Sequence, residues 1–289
     1  MSLYRTLQTL LVIIVLLCLN NQAQAQQADQ SVVVMFGDSI MFGFNPDFNP
    51  DPMNDTGNGN TDLGCPTIYL RNILNKEDDR QDPPCSVVVG QSSIRDANQL
   101  VANASVQNWG DGGSSSSQGV ARMTSNLLSA QSAGIDGQRF ALIMYGTNDF
   151  NFGLPPDVTQ ANTASMIDIA RQNGFTPAVS NLTPRTPGIN QQGEAQNLAL
   201  YNNAILLAVI EKNADFVDMN ARFNSDPNVF QTLISVDQLH PTDPGYLVLA
   251  ETWFDQYLQG VISATPPIVS EPPPNISFIP SILLLLLDD

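Results

Sequence analysis

Val32-Val-Val-Met-Phe36 is an unbroken apolar run with no polar residue in alternation. A strand with one wet face alternates; a strand covered on both faces does not. The run therefore reads as a strand of a parallel sheet beneath helices. It stops abruptly at Gly37-Asp38-Ser39. A small residue, an acid and a hydroxyl at the carboxyl end of a buried strand sit where open α/β sheets bind ligands. The same residues would also suit a plain turn, with Asp38 or Ser39 capping a helix. Later stretches decide between the two.

Four more strands are expected, over Ala104–Trp109, Phe140–Tyr145, Thr176–Asn181 and Ala214–Met219. Helices are expected between and after them, over Pro66–Leu74, Gln118–Gln131, Pro156–Asn173, Gln191–Asn213 and Leu247–Leu258. Within Gln118–Gln131 the spacing predicts one apolar face made of Val120, Met123, Leu127 and Leu128. Alternating strands and helices imply right-handed βαβ units. The fold class is α/β, a three-layer α/β/α sandwich around a mostly parallel, flavodoxin-like five-stranded sheet. Two insertions interrupt it. Residues 44–64 are dominated by Pro, Gly, Asn and Asp and read as a polar loop walling the end of the first strand. Residues 77–103 are irregular, hold Cys85, and include Val87-Val-Val89 as a small extra strand. Asp55, Asn58, Asn60 and Asp62 gather oxygen ligands, but without the spacing or closing acid of an EF-hand, so no metal is assigned.

Charge narrows the partners. The chain has 28 Asp+Glu against 11 Lys+Arg, a formal net charge of −17. Such a surface repels phosphate backbones and anionic bilayers, so nucleic acid is not an expected partner. Both ends look like appendages. Arg5, the apolar stretch Leu10–Leu19 and Ala23-Gln-Ala25 have the charge, length and small-residue spacing of a cleavable signal peptide over residues 1–25. A secreted, periplasmic or cell-surface protein is the expectation, with a mature start near Gln26. At the other end, residues 263–289 comprise a Pro-rich linker and a short apolar tail interrupted by Pro280. The apolar part is too short to cross a bilayer. Two readings stay open for it: a tail docked on the body, and a signal for surface or membrane attachment. Export implies an oxidising compartment. Cys18 leaves with the leader, so Cys65 and Cys85 are expected to form a disulfide, contributing roughly 3 kcal/mol, with two separate buried thiols as the alternative.

His240 is the only histidine. Asp237 lies three residues before it, and Pro241 fixes the exit. That spacing lets a carboxylate orient one ring nitrogen while the other faces a hydroxyl, the base–orienter arrangement a serine nucleophile needs. If serine acyl-transfer chemistry runs here on a histidine base, His240 is that base.

Four short blocks now stand in order: Gly37-Asp38-Ser39, Asn108-x-Gly110-x-x-Gly113, Gly146-Thr147-Asn148-Asp149 and Asp237-x-x-His240-Pro241. Each is weak alone. In this order, at strand ends and on the last loop, they resemble the SGNH hydrolases of the GDSL esterase/lipase superfamily over roughly residues 31–260. Ile40 stands where Leu usually follows the Ser. The resemblance implies a hydrolase domain over residues 26–262 that needs no cofactor. It implies Ser39 as nucleophile, His240 as base and Asp237 as orienter. The oxyanion hole would be the backbone N–H groups of Ser39 and Gly113 with the Asn148 amide. Gly110 is expected to serve a positive-φ turn, and Asp38 and Asp149 to brace their loops. The function so implied is an exported carboxylic-ester hydrolase acting on a small-molecule, glycan or lipid acyl ester. Two alternatives are a carbohydrate O-acetyl esterase of the same fold and an idle carbohydrate- or surface-binding module.

Overall fold

The structure, a computed structural model, describes residues 31–44, 65–75, 104–131, 137–185 and 194–262. Its centre is β1 (Ser31–Gly37), paired in parallel with β2 (Ala104–Gly110) on one side and β3 (Arg139–Met144) on the other. β4 (Thr176–Ser180) and β5 (Asp215–Val217) extend the sheet in parallel beyond β3. The order β2-β1-β3-β4-β5 is the expected flavodoxin-like one.

All seven residues of β1 are buried. Val33 and Met35 face a core holding Tyr246, Trp253 and Tyr257, while Val32, Val34 and Phe36 face another with Met123, Ile167 and Tyr201. Helices cover both faces, which is why the run has no polar alternation. Each such side chain contributes about 1.5–3 kcal/mol on burial.

The first face carries α2 (Cys65–Asn75), α7 (Met219–Asn224), α8 (Val229–Thr232) and α9 (Asp243–Trp253). α9 runs on through a π-helical stretch (Phe254–Leu258) into a last turn, α10 (Gln259–Val261). The second face carries α3 (Ser116–Gln131), α5 (Pro156–Gln172) and α6 (Glu194–Lys212). Two single-turn helices lie at strand ends: α1 (Ser39–Phe42) after β1 and α4 (Thr147–Asn151) after β3. Among the described residues, no helix is long and apolar enough to cross a membrane.

Several details differ from the sequence reading. The final helix begins at Asp243 rather than Leu247, because Thr242 caps it, its hydroxyl accepting from the Gly245 N–H at 3.2 Å, and Pro244 fits the first turn. Leu128 is 53% exposed, off the α3 face where Met123 and Leu127 are fully buried. It lies one residue, about 100°, round the helix from Leu127. Gly110 does not have positive φ; Gly113 does, at 74°. Gly110 is needed for closeness instead, since a Cβ there would stand 2.2 Å from the Phe42 nitrogen. Helices α4, α7 and α8 were not expected, being too short to show a period. The leader, the polar insertion beyond Phe44, the Val87–Val89 strand, Cys85, the side chain of Cys65 and the C-terminal tail all lie outside the described residues.

Candidate active site

The first block is a sharp turn from strand into helix. A Cβ on Gly37 would stand 2.5 Å from the Met144 carbonyl oxygen, so only glycine lets β1 close on β3 here. Asp38 caps α1, its Oδ1 accepting from the Ile40 N–H at 3.0 Å. Burial pushes the Asp38 carboxyl up to about 6, with the Ile40 N–H and the nearby His240 pulling the other way. Gly43, at φ 90°, ends α1 after a single turn, and the Gly43 and Phe44 N–H groups return to the Ser39 carbonyl at 3.1 and 2.9 Å. Ser39 is thereby held at the carboxyl end of β1, beside the switch in strand order.

The last block is a self-contained loop. Ile234 and Pro241 pair as an antiparallel bridge, and the Ser235 N–H donates to the His240 carbonyl at 2.8 Å. Gln238 turns the chain at φ 64°, a conformation that non-glycine residues adopt rarely. Asp237 Oδ1 accepts from the Ser235 hydroxyl at 2.7 Å and from the Leu239 and His240 N–H groups at 3.0 Å each. Its Oδ2 lies 2.6 Å from His240 Nδ1. Burial opposes charge on Asp237, but the His240 ring, the Ser235 hydroxyl and the two N–H groups outweigh it, holding the carboxyl well below its usual range. An ionised carboxylate can only accept, so Nδ1 carries the ring proton. Nε2 is left as an acceptor, and it lies 2.8 Å from Ser39 Oγ. Phe44 packs edge-on against the imidazole with ring centres 4.7 Å apart, and the Tyr246 hydroxyl donates to the Phe44 carbonyl at 2.5 Å.

The two middle blocks close the site from the other side. Asn108 donates to the Phe42 carbonyl at 2.9 Å and accepts from the Gly110 N–H at 3.0 Å, which ties the glycine block to α1. Asn148 donates through Nδ2 to the Ser114 carbonyl at 3.0 Å, one residue beyond Gly113. Asp149 is buried and accepts from the Ser116 N–H at 2.8 Å and the Thr159 hydroxyl at 2.7 Å, bracing α3 against α5. A carboxylate at the first turn of α3 also meets the positive end of its dipole. The structure thus brings Ser39, His240 and Asp237 into one hydrogen-bonded line, with Asn148 bonded to the loop that holds Gly113.

The description "GDSL-like Lipase/Acylhydrolase family" matches residues 35–248, about three quarters of the chain. The chain belongs to this family. It is accordingly an ester-bond hydrolase. No curated protein sequence matches it. Among solved structures it resembles a lipase/acylhydrolase from Enterococcus faecalis at 13% identity and TM-score 0.56, over 82% of this chain and 100% of that one. It also resembles an acetylxylan esterase from Geobacillus stearothermophilus at 17% identity and TM-score 0.54, over 80% of this chain and 95% of that one. A third likeness, at 16% identity and TM-score 0.56 over 82% and 98%, is to an alpha/beta hydrolase enzyme from the metagenome of Lake Arreo, Spain. At these identities the likeness is one of fold.

In this GDSL-like chain Arg122 shapes the site without a motif to mark it in the sequence. Arg122 of α3 reaches behind the strand ends, donating to the Gly37 carbonyl at 2.8 Å and the Trp109 carbonyl at 2.9 Å. It also contacts the Tyr145 hydroxyl, pairs with Asp111 at 3.6 Å, and lies 4.6 Å above the Phe36 ring. Burial pushes the Tyr145 hydroxyl up to about 12, so it stays neutral beside the guanidinium. One cation thus touches the first two blocks and the residue just before the third. The only signal was an arginine between Val120 and Met123 on a helix with an apolar face.

Proposed function

We propose that the protein is an exported serine ester hydrolase that works through an acyl-enzyme. The observation that carries this reading is the continuous line from Ser39 Oγ through the His240 ring to Asp237, with contacts of 2.8 and 2.6 Å. Ser39 Oγ attacks the ester carbonyl carbon while Nε2 of His240 takes its proton. The resulting imidazolium is stabilised by Asp237. The negative charge on the former carbonyl oxygen is met by the Ser39 and Gly113 N–H groups and the Asn148 amide. The intermediate collapses, the C–O bond to the alcohol breaks, and Nε2 gives that alcohol its proton. Water then repeats the sequence on the acyl-enzyme, with His240 again as base, releasing the acid and restoring Ser39.

For the acyl donor, the reading favours small or carbohydrate-borne esters over long-chain lipid. The polar composition of residues 44–62, directly after the nucleophile, supports this, since no apolar lid is written there. The acetylxylan esterase among the structural neighbours supports a carbohydrate acetyl ester as the second form of the same reading. Export rests on the leader-like residues 1–25, and N-terminal sequencing of the secreted protein should begin near Gln26.

Hydrolysis of p-nitrophenyl acetate and butyrate and of acetylated xylan, by wild type and Ser39→Ala, tests the proposal. Release by the wild type and loss in Ser39→Ala is expected. Equal rates in both would overturn the mechanism. No turnover of any ester would favour the idle binding module.

A further inference from the structure

Asn148 can serve an oxyanion only if its amide points the right way. Its two ends are nearly the same shape and opposite in polarity. Turned over, it would present a carbonyl dipole to developing negative charge. The Ser114 carbonyl, which only accepts, holds the Asn148 Nδ2 at 3.0 Å, and a second constraint acts on the Asn148 oxygen from outside the four blocks. Asn148 Oδ1 accepts from Asn151 Nδ2 at 3.4 Å, and Asn151 Oδ1 accepts from Arg185 Nη1 at 2.6 Å. Arg185 in turn lies 4.6 Å above the Phe150 ring.

A guanidinium only donates. The Asn151 oxygen must therefore face Arg185, and its NH₂ faces Asn148. The Asn148 oxygen must then meet that NH₂, which sends its own NH₂ toward the Ser114 carbonyl. One N–H is used there and the second is left for the substrate oxygen. We propose that Arg185 and Asn151 are positioning residues, a relay that acts with the Ser114 carbonyl to hold the amide orientation of Asn148. This rests on the oxyanion role of Asn148 proposed above and extends it to two residues on separate segments, α4 and the loop after β4.

Asn151→Asp tests the relay. The variant is isosteric and still pairs with Arg185, so a role in merely holding the loop is kept. It replaces the donor facing Asn148 with an acceptor. The expected result is kcat on p-nitrophenyl acetate lowered about 10- to 100-fold, less than the roughly 10²–10³ of a deleted oxyanion donor. KM and Tm should stay at wild-type values. In an Asn148→Ala background the same change should cost nothing more. Arg185→Lys, another pure donor, should keep kcat, while Arg185→Glu should lose it. Wild-type kcat in Asn151→Asp, or an equal loss in the Asn148→Ala background, would overturn the relay alone. Wild-type kcat in Asn148→Ala would remove the oxyanion role and the relay with it.

Discussion

The Arg122 guanidinium donates to the carbonyl of Gly37 at 2.8 Å, two residues ahead of Ser39. The same group reaches the Trp109 carbonyl at 2.9 Å and so clasps the ends of β1 and β2. Hydrogen bonds to a charged group contribute about 1.5–3 kcal/mol each, and the Gly37 carbonyl keeps the Asp111 N–H at 3.0 Å when the guanidinium is lost. Arg122→Met should lower unfolding free energy by about 3 kcal/mol, read from urea denaturation. Arg122→Lys keeps the charge but not the fork, and should fall between the two. A wild-type midpoint in Arg122→Met would contradict this account.

Asp237→Asn probes the orienter without changing its shape. The amide can donate to Nδ1, which favours the tautomer whose proton sits on Nε2, facing Ser39. In serine triads this substitution costs about 10⁴ in kcat. A loss of that order is expected here, with KM little changed. A loss under tenfold in steady-state kinetics would argue against the orienting role.

The buried Asp38 should leave a mark on pH stability. Its folded value of about 6 lies above the ordinary 3.8. Below the ordinary value both states hold the proton and nothing is lost. Between the two, the folded state holds a proton that the unfolded chain has released, so stability falls as pH rises. Above about 6 both are ionised and the penalty is constant, at about 3 kcal/mol. Asp38→Asn cannot ionise, so its stability relative to wild type should rise by that amount between pH 4 and 7. Parallel stability curves for the two proteins would rule this out.

Gly110 and Gly113 should fail differently. Alanine at 110 meets backbone at 2.2 Å and has nowhere to go, so it should cost at least the roughly 1–3 kcal/mol of core overpacking. Alanine at 113 meets nothing within 4 Å but must hold φ near 74°, at about 1–2 kcal/mol. Gly113→Ala should therefore fold, with kcat lowered if φ relaxes and moves the N–H. Thermal melts and kcat for both variants check the order.

The sheet was legible because β1 and β3 hold apolar runs, Val32–Phe36 and Phe140–Met144, and burial on both faces leaves a plain mark in composition. The site blocks were legible because each stands at the end of a strand or on the last loop. What the sequence did not show was lateral. Arg122 reaches the Gly37 carbonyl 85 residues away and Arg185 reaches the Asn151 amide 34 residues away, and no local spacing announces such contacts. The use of Gly110 was misread for a similar reason. Close approach by Phe42, 68 residues earlier, left no trace near position 110.

Acid and imidazole share one short loop, pinned at its base by the Ile234–Pro241 bridge. The spacing between them is therefore settled within a handful of residues, before the large sheet has any say. Assembly of the reactive centre then reduces to docking one prefabricated piece against the end of the first strand. Sequence drift elsewhere can tilt or shift that piece, but it cannot easily pull the pair apart.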